Sequence, residues 1–250
     1  MATLSTPEYR RYNRHIKLKD LGVKGQERLK EARILVIGVG ALGAPVLQYL
    51  NSSGIGTIGI VDYSIIQENN LHGQLLFNYR DIGKHKSIVA KKRLEAQNPY
   101  LKCEIYNLKL KDNYIDRVLE DYDLVIDSTD NAEAKYLIND SCIRMDKPMV
   151  YGNAMEYTGE VAVFNYQNGP SYRCLYPEAP SEEDKEKKGV ISTLSGVIGA
   201  LQANEAIKII TRAGEVLSGK RYTFNAFDFS SSIIPIQRNP DNFAVKEPRQ

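Results

Sequence analysis

Three glycines, Gly38, Gly40 and Gly43, stand in GVGALG at the end of an apolar run, RILVI. Glycine lets a phosphate approach the backbone, and a helix starting there offers free N–H groups and the positive end of its dipole. Asp62 closes the next apolar run, TIGIVD, at a separation of about 20 residues, where a carboxylate holds ribose hydroxyls. The competing reading of these glycines is tight strand–helix packing. The pattern alone leaves NAD, FAD and ATP open. No G-x-x-x-x-G-K-[ST] occurs, so a P-loop is excluded. A short-chain reductase would pair a tyrosine with a lysine four positions on, and none of the 16 tyrosines has one. His15, His72 and His85 occupy no evident catalytic position.

Three further groups carry charge. DSTDN spans Asp127 to Asn131, and two acids this close at a nucleotide site suit Mg²⁺ beside phosphates. Simple helix capping by Asp130 and Asn131 is the alternative. GKHKS puts Lys84 and Lys86 at a helix start, where cations oppose the dipole and need a phosphate or solvent to explain them. RRYNR places Arg10 and Arg14 four apart on one helix face, aimed at an external anion or at water.

The elements that position these groups alternate. Thr6 is read as the cap and Pro7 as the start of a helix over PEYRRYNRHIKL, followed by a second over KGQERLKEA. Strands are predicted at RILVIG, TIGIVD, KCEIYNL, DLVIDSTD and PMVYGN. Helices are predicted at ALGAPVLQYLNSSG, KHKSIVAKKRLEAQN and NAEAKYLINDSCIRMD. That alternation predicts an α/β fold with a doubly wound, mainly parallel, Rossmann-like sheet over residues 32–152. The pattern then changes to MEYTGEVAVFNY, a strand pair or bent strand. A charged loop, PEAPSEEDKEKKG, a long helix over STLSGVIGALQANEAIKIITRAG and a closing hairpin, KRYTFNAFDFSSSIIPIQ, follow. An antiparallel C-terminal part is therefore expected to continue the sheet.

The 250 residues are 42% hydrophobic, enough for a sizeable core. A formal charge of +2, from 33 basic and 31 acidic residues, gives no footprint for nucleic acid. No apolar run reaches the ~18 residues of a membrane span, and the opening MATLSTPEYRRYNRH lacks a secretory core, so a cytoplasmic protein is expected. Cys103, Cys142 and Cys174 form no CxxC, which argues against a disulfide framework.

Taken in order, RYNRHI, GQERL, GVGALG, IVDYS, NNLHGQ, GKHKS, DSTDN, YRCLYP and LQANEAIKII resemble the ubiquitin-activating-enzyme-like adenylyltransferases, the MoeB, ThiF and HesA group. The resemblance covers nearly the whole chain. It implies one adenylation domain over 1–250, with N-terminal helices at 1–31, a nucleotide half at 32–152 and a carrier-binding half at 153–250. A crossover loop at about 177–190 would cover the carrier's tail. It implies ATP on Gly38, Gly40, Ala41 and Gly43, with Asp62 on the ribose. Asn70, Gln74 and Asn131 would contact the nucleotide, Lys86 would meet phosphate oxygens, and Asp130 would hold Mg²⁺. Arg14 would reach the phosphates of the other subunit in a homodimer. Arg14, Lys86 and Asp130 would thus be catalytic. The implied substrate is the C-terminal Gly-Gly carboxylate of a small sulfur-carrier or ubiquitin-like protein, adenylated with release of pyrophosphate.

Three departures from the family pattern accompany the resemblance. The usual asparagine–leucine–x–arginine–glutamine reads NLHGQ, so Gly73 stands for a phosphate-facing arginine, with Arg80 a candidate substitute. The two zinc-binding CxxC pairs are reduced to Ser171 and Cys174 in SYRC, with Asn242 and Val245 read at the other ligand positions, so no zinc is expected. The crossover-loop cysteine of many members is Lys185 or a neighbour. A nucleotide-binding paralogue with little catalysis is therefore one alternative, and a nicotinamide or flavin oxidoreductase another.

Overall fold

The computed structural model describes residues 3–178 and 189–245. The expected crossover loop and Lys185 fall largely or wholly outside them. Two short helices, α1 (Thr6–Arg11) and α2 (Asn13–Ile16), precede α3 (Gly22–Glu31). The single N-terminal helix expected from the sequence is broken at Tyr12 (φ −97°, ψ 14°), and Ser5 rather than Thr6 is its cap. Tyr12 leaves the helix because its ring is buried and its hydroxyl accepts a hydrogen bond from Asn98 Nδ2 at 3.1 Å.

The α/β body follows as β1 (Arg33–Ile37), α4 (Gly43–Ser53), β2 (Thr57–Val61), α5 (Lys86–Gln97), β3 (Lys102–Tyr106), α6 (Asp112–Glu120), β4 (Leu124–Asp127), α7 (Ala132–Arg144) and β5 (Met149–Met155). β6 (Thr158–Phe164), α8 (Tyr172–Leu175), α9 (Ser192–Thr211), β7 (Lys220–Asn225) and β8 (Ser231–Pro235) complete it. All eight strands form one sheet in the order β3-β2-β1-β4-β5-β6-β7-β8. The first five are parallel, and β6, β7 and β8 continue antiparallel. The expected fold class is borne out, with MEYTGEVAVFNY resolved as the turn and return of a β5–β6 hairpin.

Burial explains the topology. β1, β2 and β4 are buried almost throughout and apolar except at Arg33, Thr57 and Asp127, because helices cover both faces of the sheet. Along β1, Ile34 and Val36 pack with Leu47, Leu50, Val89 and Ala206 on one side. Leu35 and Ile37 pack with Ile115, Leu119, Ile138 and Cys142 on the other. Helix α6, which supplies Ile115 and Leu119, has no counterpart among the predicted helices. It covers the second face between β3 and β4, where a right-handed crossover must place a layer.

No described helix is long and apolar enough to cross a membrane. The N-terminal helices are pinned low on the body. Glu8 accepts from Lys30 Nζ at 2.8 Å, His15 Nδ1 lies 3.3 Å from Gln26 Oε1, and Gln26 donates to Ser53 O at 2.8 Å.

Candidate functional site

The sheet brings the ends of β1, β2 and β4 to one level, with Ile37 opposite both Val61 and Asp127. Backbone bonds then sew the glycine turn to its neighbours. Gly38 N donates to Val61 O at 2.9 Å, and Ser128 N donates to Ile37 O at 2.9 Å. Gly38 has φ +92°, and a Cβ there would meet Ser128 O at 2.8 Å. A Cβ at Gly43 would lie 2.0 Å from Gly38 O, so the turn closes only with glycine. Gly40 has nothing within 4 Å of such an atom and opens outward. Gly38 and Gly43 fit the close-packing reading of these glycines, and Gly40 leaves open space beside the turn.

Asp62 locks the turn from β2. Its Oδ2 accepts from Val39 N and its Oδ1 from Ser64 N, each at 2.7 Å. Each oxygen keeps a second lone pair for a ribose hydroxyl. Ser64 O in turn accepts from Lys86 N at 3.0 Å, which fixes the first residue of α5 beside Asp62. Lys86 is buried there. Lys84 is not part of the helix; it is exposed and pairs with Asp81 at 3.6 Å. The two lysines of GKHKS therefore separate, and only Lys86 belongs to the cleft.

The segment 69–74 lies across the turn. A Cβ at Gly73 would meet Ala41 Cβ at 3.5 Å and Ser192 Cβ, at the start of α9, at 3.8 Å. Asn70 is committed locally, since its Oδ1 accepts from Gln67 N at 3.0 Å and its Nδ2 donates to Asn69 Oδ1 at 3.1 Å. Arg93 holds the continuation through Leu76 O and Asp81. Arg80 is exposed on a single 3-10 turn, Tyr79–Asp81.

In the loop after β4, Asp130 is exposed, and Asn131 performs the capping anticipated for it, its Oδ1 accepting from Ala134 N at 3.2 Å. Asp127 is fully buried and bonded to Lys135, which the sequence reading passes over. Buried side-chain atoms without a partner in the protein include Gln74 Oε1, Ser87 Oγ and Ser128 Oγ. These belong to the segments that ring the cleft, and leaving such atoms unbonded is costly unless a ligand supplies the missing bond. With the outward-facing Gly40, they fit a polar nucleotide. Asp130 beside this cradle fits a cation that takes most of its ligands from phosphates and water, as Mg²⁺ does. Among the described residues no three His, Cys, Asp or Glu side chains group to hold a metal alone.

Arg14 is not brought to this cleft. Tyr12 packs against Gly54, the cap of α4, and α4 runs 11 residues from the glycine turn, about 16 Å of helix. The arginine is exposed on the far end of its own sheet.

Cys174 is the one cysteine left of the family's zinc-binding pattern. Cys174 Sγ accepts from the N–H groups of Ser171 and Asn239, each at 3.4 Å, and Ser171 Oγ donates to Asn242 O at 3.4 Å. Asn239 and Asn242 thus face the thiol, where the sequence reading had placed Asn242 and Val245. Burial alone would raise the Cys174 thiol, but the Ser171 hydroxyl and the surrounding amides hold it below its ordinary value.

A family profile described as the ThiF family matches residues 12–244. The chain belongs to the ThiF family. Over 241 residues it is 39% identical to a sulfur carrier protein adenylyltransferase of Thermus thermophilus, covering 93% of this chain and 89% of that one. Over 252 residues it is 43% identical to a probable molybdopterin-synthase adenylyltransferase of Porphyra purpurea, covering 99% of this chain and 65% of that one. The fold is that of E. coli MccB, seen in a crystal structure with ATP, at TM-score 0.82 and 24% identity, covering 92% of this chain and 72% of that one.

Proposed function

We propose that this ThiF-family protein is an ATP-dependent adenylyltransferase for the C-terminal glycine carboxylate of a small sulfur-carrier or ubiquitin-like protein. The observation that carries the reading is the glycine turn, closed by Gly38 and Gly43, open at Gly40 and locked to Asp62. The names of the Thermus and Porphyra relatives supply the chemistry and the carrier class.

In this reading ATP lies across the turn with its ribose on Asp62 and its phosphates toward Lys86. Gln74 and Ser128 have buried oxygens to offer it. Asp130 would hold the Mg²⁺, which would supply positive charge to the phosphates, and Asn131 fixes the start of α7 next to it. A carboxylate oxygen of the carrier attacks the α-phosphorus, the bond to the β-phosphate oxygen breaks, and pyrophosphate leaves with the electron pair. No covalent bond to the enzyme forms, so the protein contributes position and positive charge. The half at 153–250 receives the carrier, and a glycine tail is slim enough to enter the cleft.

Arg14 is assigned to a partner's site. Its own helix is fixed at the opposite end of its own sheet, so a homodimer is the arrangement that gives this exposed cation a phosphate. Gly73 favours a second reading, a nucleotide-binding paralogue with weak catalysis, because a phosphate-facing cation of the family pattern is missing. Intact-mass spectrometry separates the two. Incubated with ATP, Mg²⁺ and a carrier ending in Gly-Gly, the enzyme should yield carrier bearing one adenylyl group. Unmodified carrier beside nucleotide-loaded protein would favour the paralogue.

A further inference from the structure

Lys135 lies in the first turn of α7, where a cation opposes the helix dipole and needs a specific reason to be held. It is 5% exposed. Its ammonium has three hydrogens and three acceptors: Asp127 Oδ2 at 2.8 Å, Thr129 O at 2.8 Å and Gly152 O at 3.3 Å. It also sits over the Tyr151 ring, 5.0 Å from the centroid. The other oxygen of Asp127 accepts from Thr129 N at 3.0 Å and Thr129 Oγ1 at 2.7 Å. From the opposite face of the sheet, Gln202 Nε2 donates to Asp127 O at 2.7 Å.

The loop between β4 and α7 is therefore tied down from Asp127 through Thr129. A buried ion pair is a weak source of stability, since an apolar pair of similar size commonly serves as well. What this pair does supply is shape. One cation joins the end of β4, the loop and β5, and sets where Asp130 emerges against the glycine turn.

We propose that Lys135 is a positioning residue of the adenylation site, holding the Asp127–Thr129 segment so that Asp130 presents its carboxylate to the Mg²⁺ of bound nucleotide. The proposal rests on the adenylation reading above. Lys135 touches neither nucleotide nor carrier and acts through Asp130.

The test uses Lys135→Met and the double variant Asp127→Asn/Lys135→Met. The single variant leaves Asp127 buried and unpaired and is expected to lose stability. The double variant removes both charges, and its asparagine still accepts from Thr129, so it folds. Carrier-dependent ATP–pyrophosphate exchange is measured over a range of Mg²⁺. In the double variant kcat should fall on the order of 10- to 100-fold, the size of effect a misplaced group produces, with the ATP KM little changed. The Mg²⁺ concentration for half-maximal rate should rise roughly tenfold, as when a metal ligand loses its orienting partner. A folded double variant with the wild-type kcat and wild-type Mg²⁺ requirement would overturn the proposal. ATP binding, titrated by calorimetry with and without Mg²⁺, separates the two levels. A wild-type protein that fails to exchange counts against adenylation. Loss of Mg²⁺-enhanced ATP binding in the double variant would still support the positioning role, and unchanged enhancement would refute it.

Discussion

Replacing Gly73 by arginine should accelerate adenylation, and the structure shows why the substitution fits. Gly73 does not lie in the left-handed region that favours glycine, and its Cβ would meet only Ala41 and Ser192, at 3.5 and 3.8 Å, which is ordinary contact. The new side chain would leave the backbone between the glycine turn and the start of α9, on the side where the proposed phosphates lie. Removing the glycine also restricts the unfolded chain, which contributes about 0.5 kcal/mol in favour of folding. A hydrogen bond to a charged group contributes ~1.5–3 kcal/mol. If that contact is made mainly as charge moves onto departing pyrophosphate, it appears in kcat rather than in ATP affinity. The expected gain is therefore about tenfold or more in kcat, or ~1.4 kcal/mol and upward, with KM for ATP within about threefold. Initial-rate ATP–pyrophosphate exchange with saturating carrier measures both constants. A folded Gly73→Arg protein with unchanged kcat would refute the reasoning, and would mean that the cation's place is already filled.

The remaining predictions concern the other charged groups. Asp130→Ala should abolish Mg²⁺-dependent adenylation without loss of fold, and mixing it with Arg14→Ala should restore activity after subunit exchange, because each mixed dimer holds one site with both residues intact; no recovery despite proven exchange would exclude the shared site. The purified protein should carry no stoichiometric zinc, and a chelator should leave its melting temperature unchanged; one zinc per chain by elemental analysis would contradict this. Burial opposes the charge on Glu8, but its bonds to Lys30 and Ser5 outweigh that and hold its carboxyl below the ordinary 4.5. A depressed folded value means that its stabilisation is complete above about pH 4.5 and fades as the pH falls below it. Glu8→Gln should therefore cost about 1–3 kcal/mol at pH 7 and flatten the acid limb of a pH–melting curve; an unchanged acid limb would show that Glu8 does not anchor the N-terminal helices.

Much of this site is legible in the sequence because it is local. A glycine turn between a buried strand and a helix, with an acid at the next strand's end, is fixed by two neighbouring strands and a few backbone bonds. The central strands are readable for the same reason: both faces are covered, so ILVI, IGIV and LVI are continuously apolar. What sequence reasoning missed depends on distant partners. Tyr12 leaves the first helix with its ring buried and its hydroxyl accepting from Asn98, 86 residues away. Helix α6 is hard to read although Ile115, Val118 and Leu119 have helical spacing, since charged residues interrupt the stripe. Asn239, rather than Val245, faces Cys174 because the 3-10 turn Pro240–Phe243 brings its N–H to the sulfur. Lys135 did carry a signal, a lysine in the first turn of a helix eight residues after a strand-end aspartate. Lys86 carries the same signal, but the partner of Lys135 is a buried aspartate at the strand end.

The central claim is that this nucleotide cleft activates a glycine tail, and carrier-dependent ATP–pyrophosphate exchange tests it most directly. Small carriers ending in Gly-Gly should be compared with the same proteins lacking the last two residues, in the presence of Mg²⁺. The account predicts exchange with an intact tail and none with the truncated one. Equal exchange with both tails, or ATP bound to the enzyme and no exchange with any intact carrier, would contradict it.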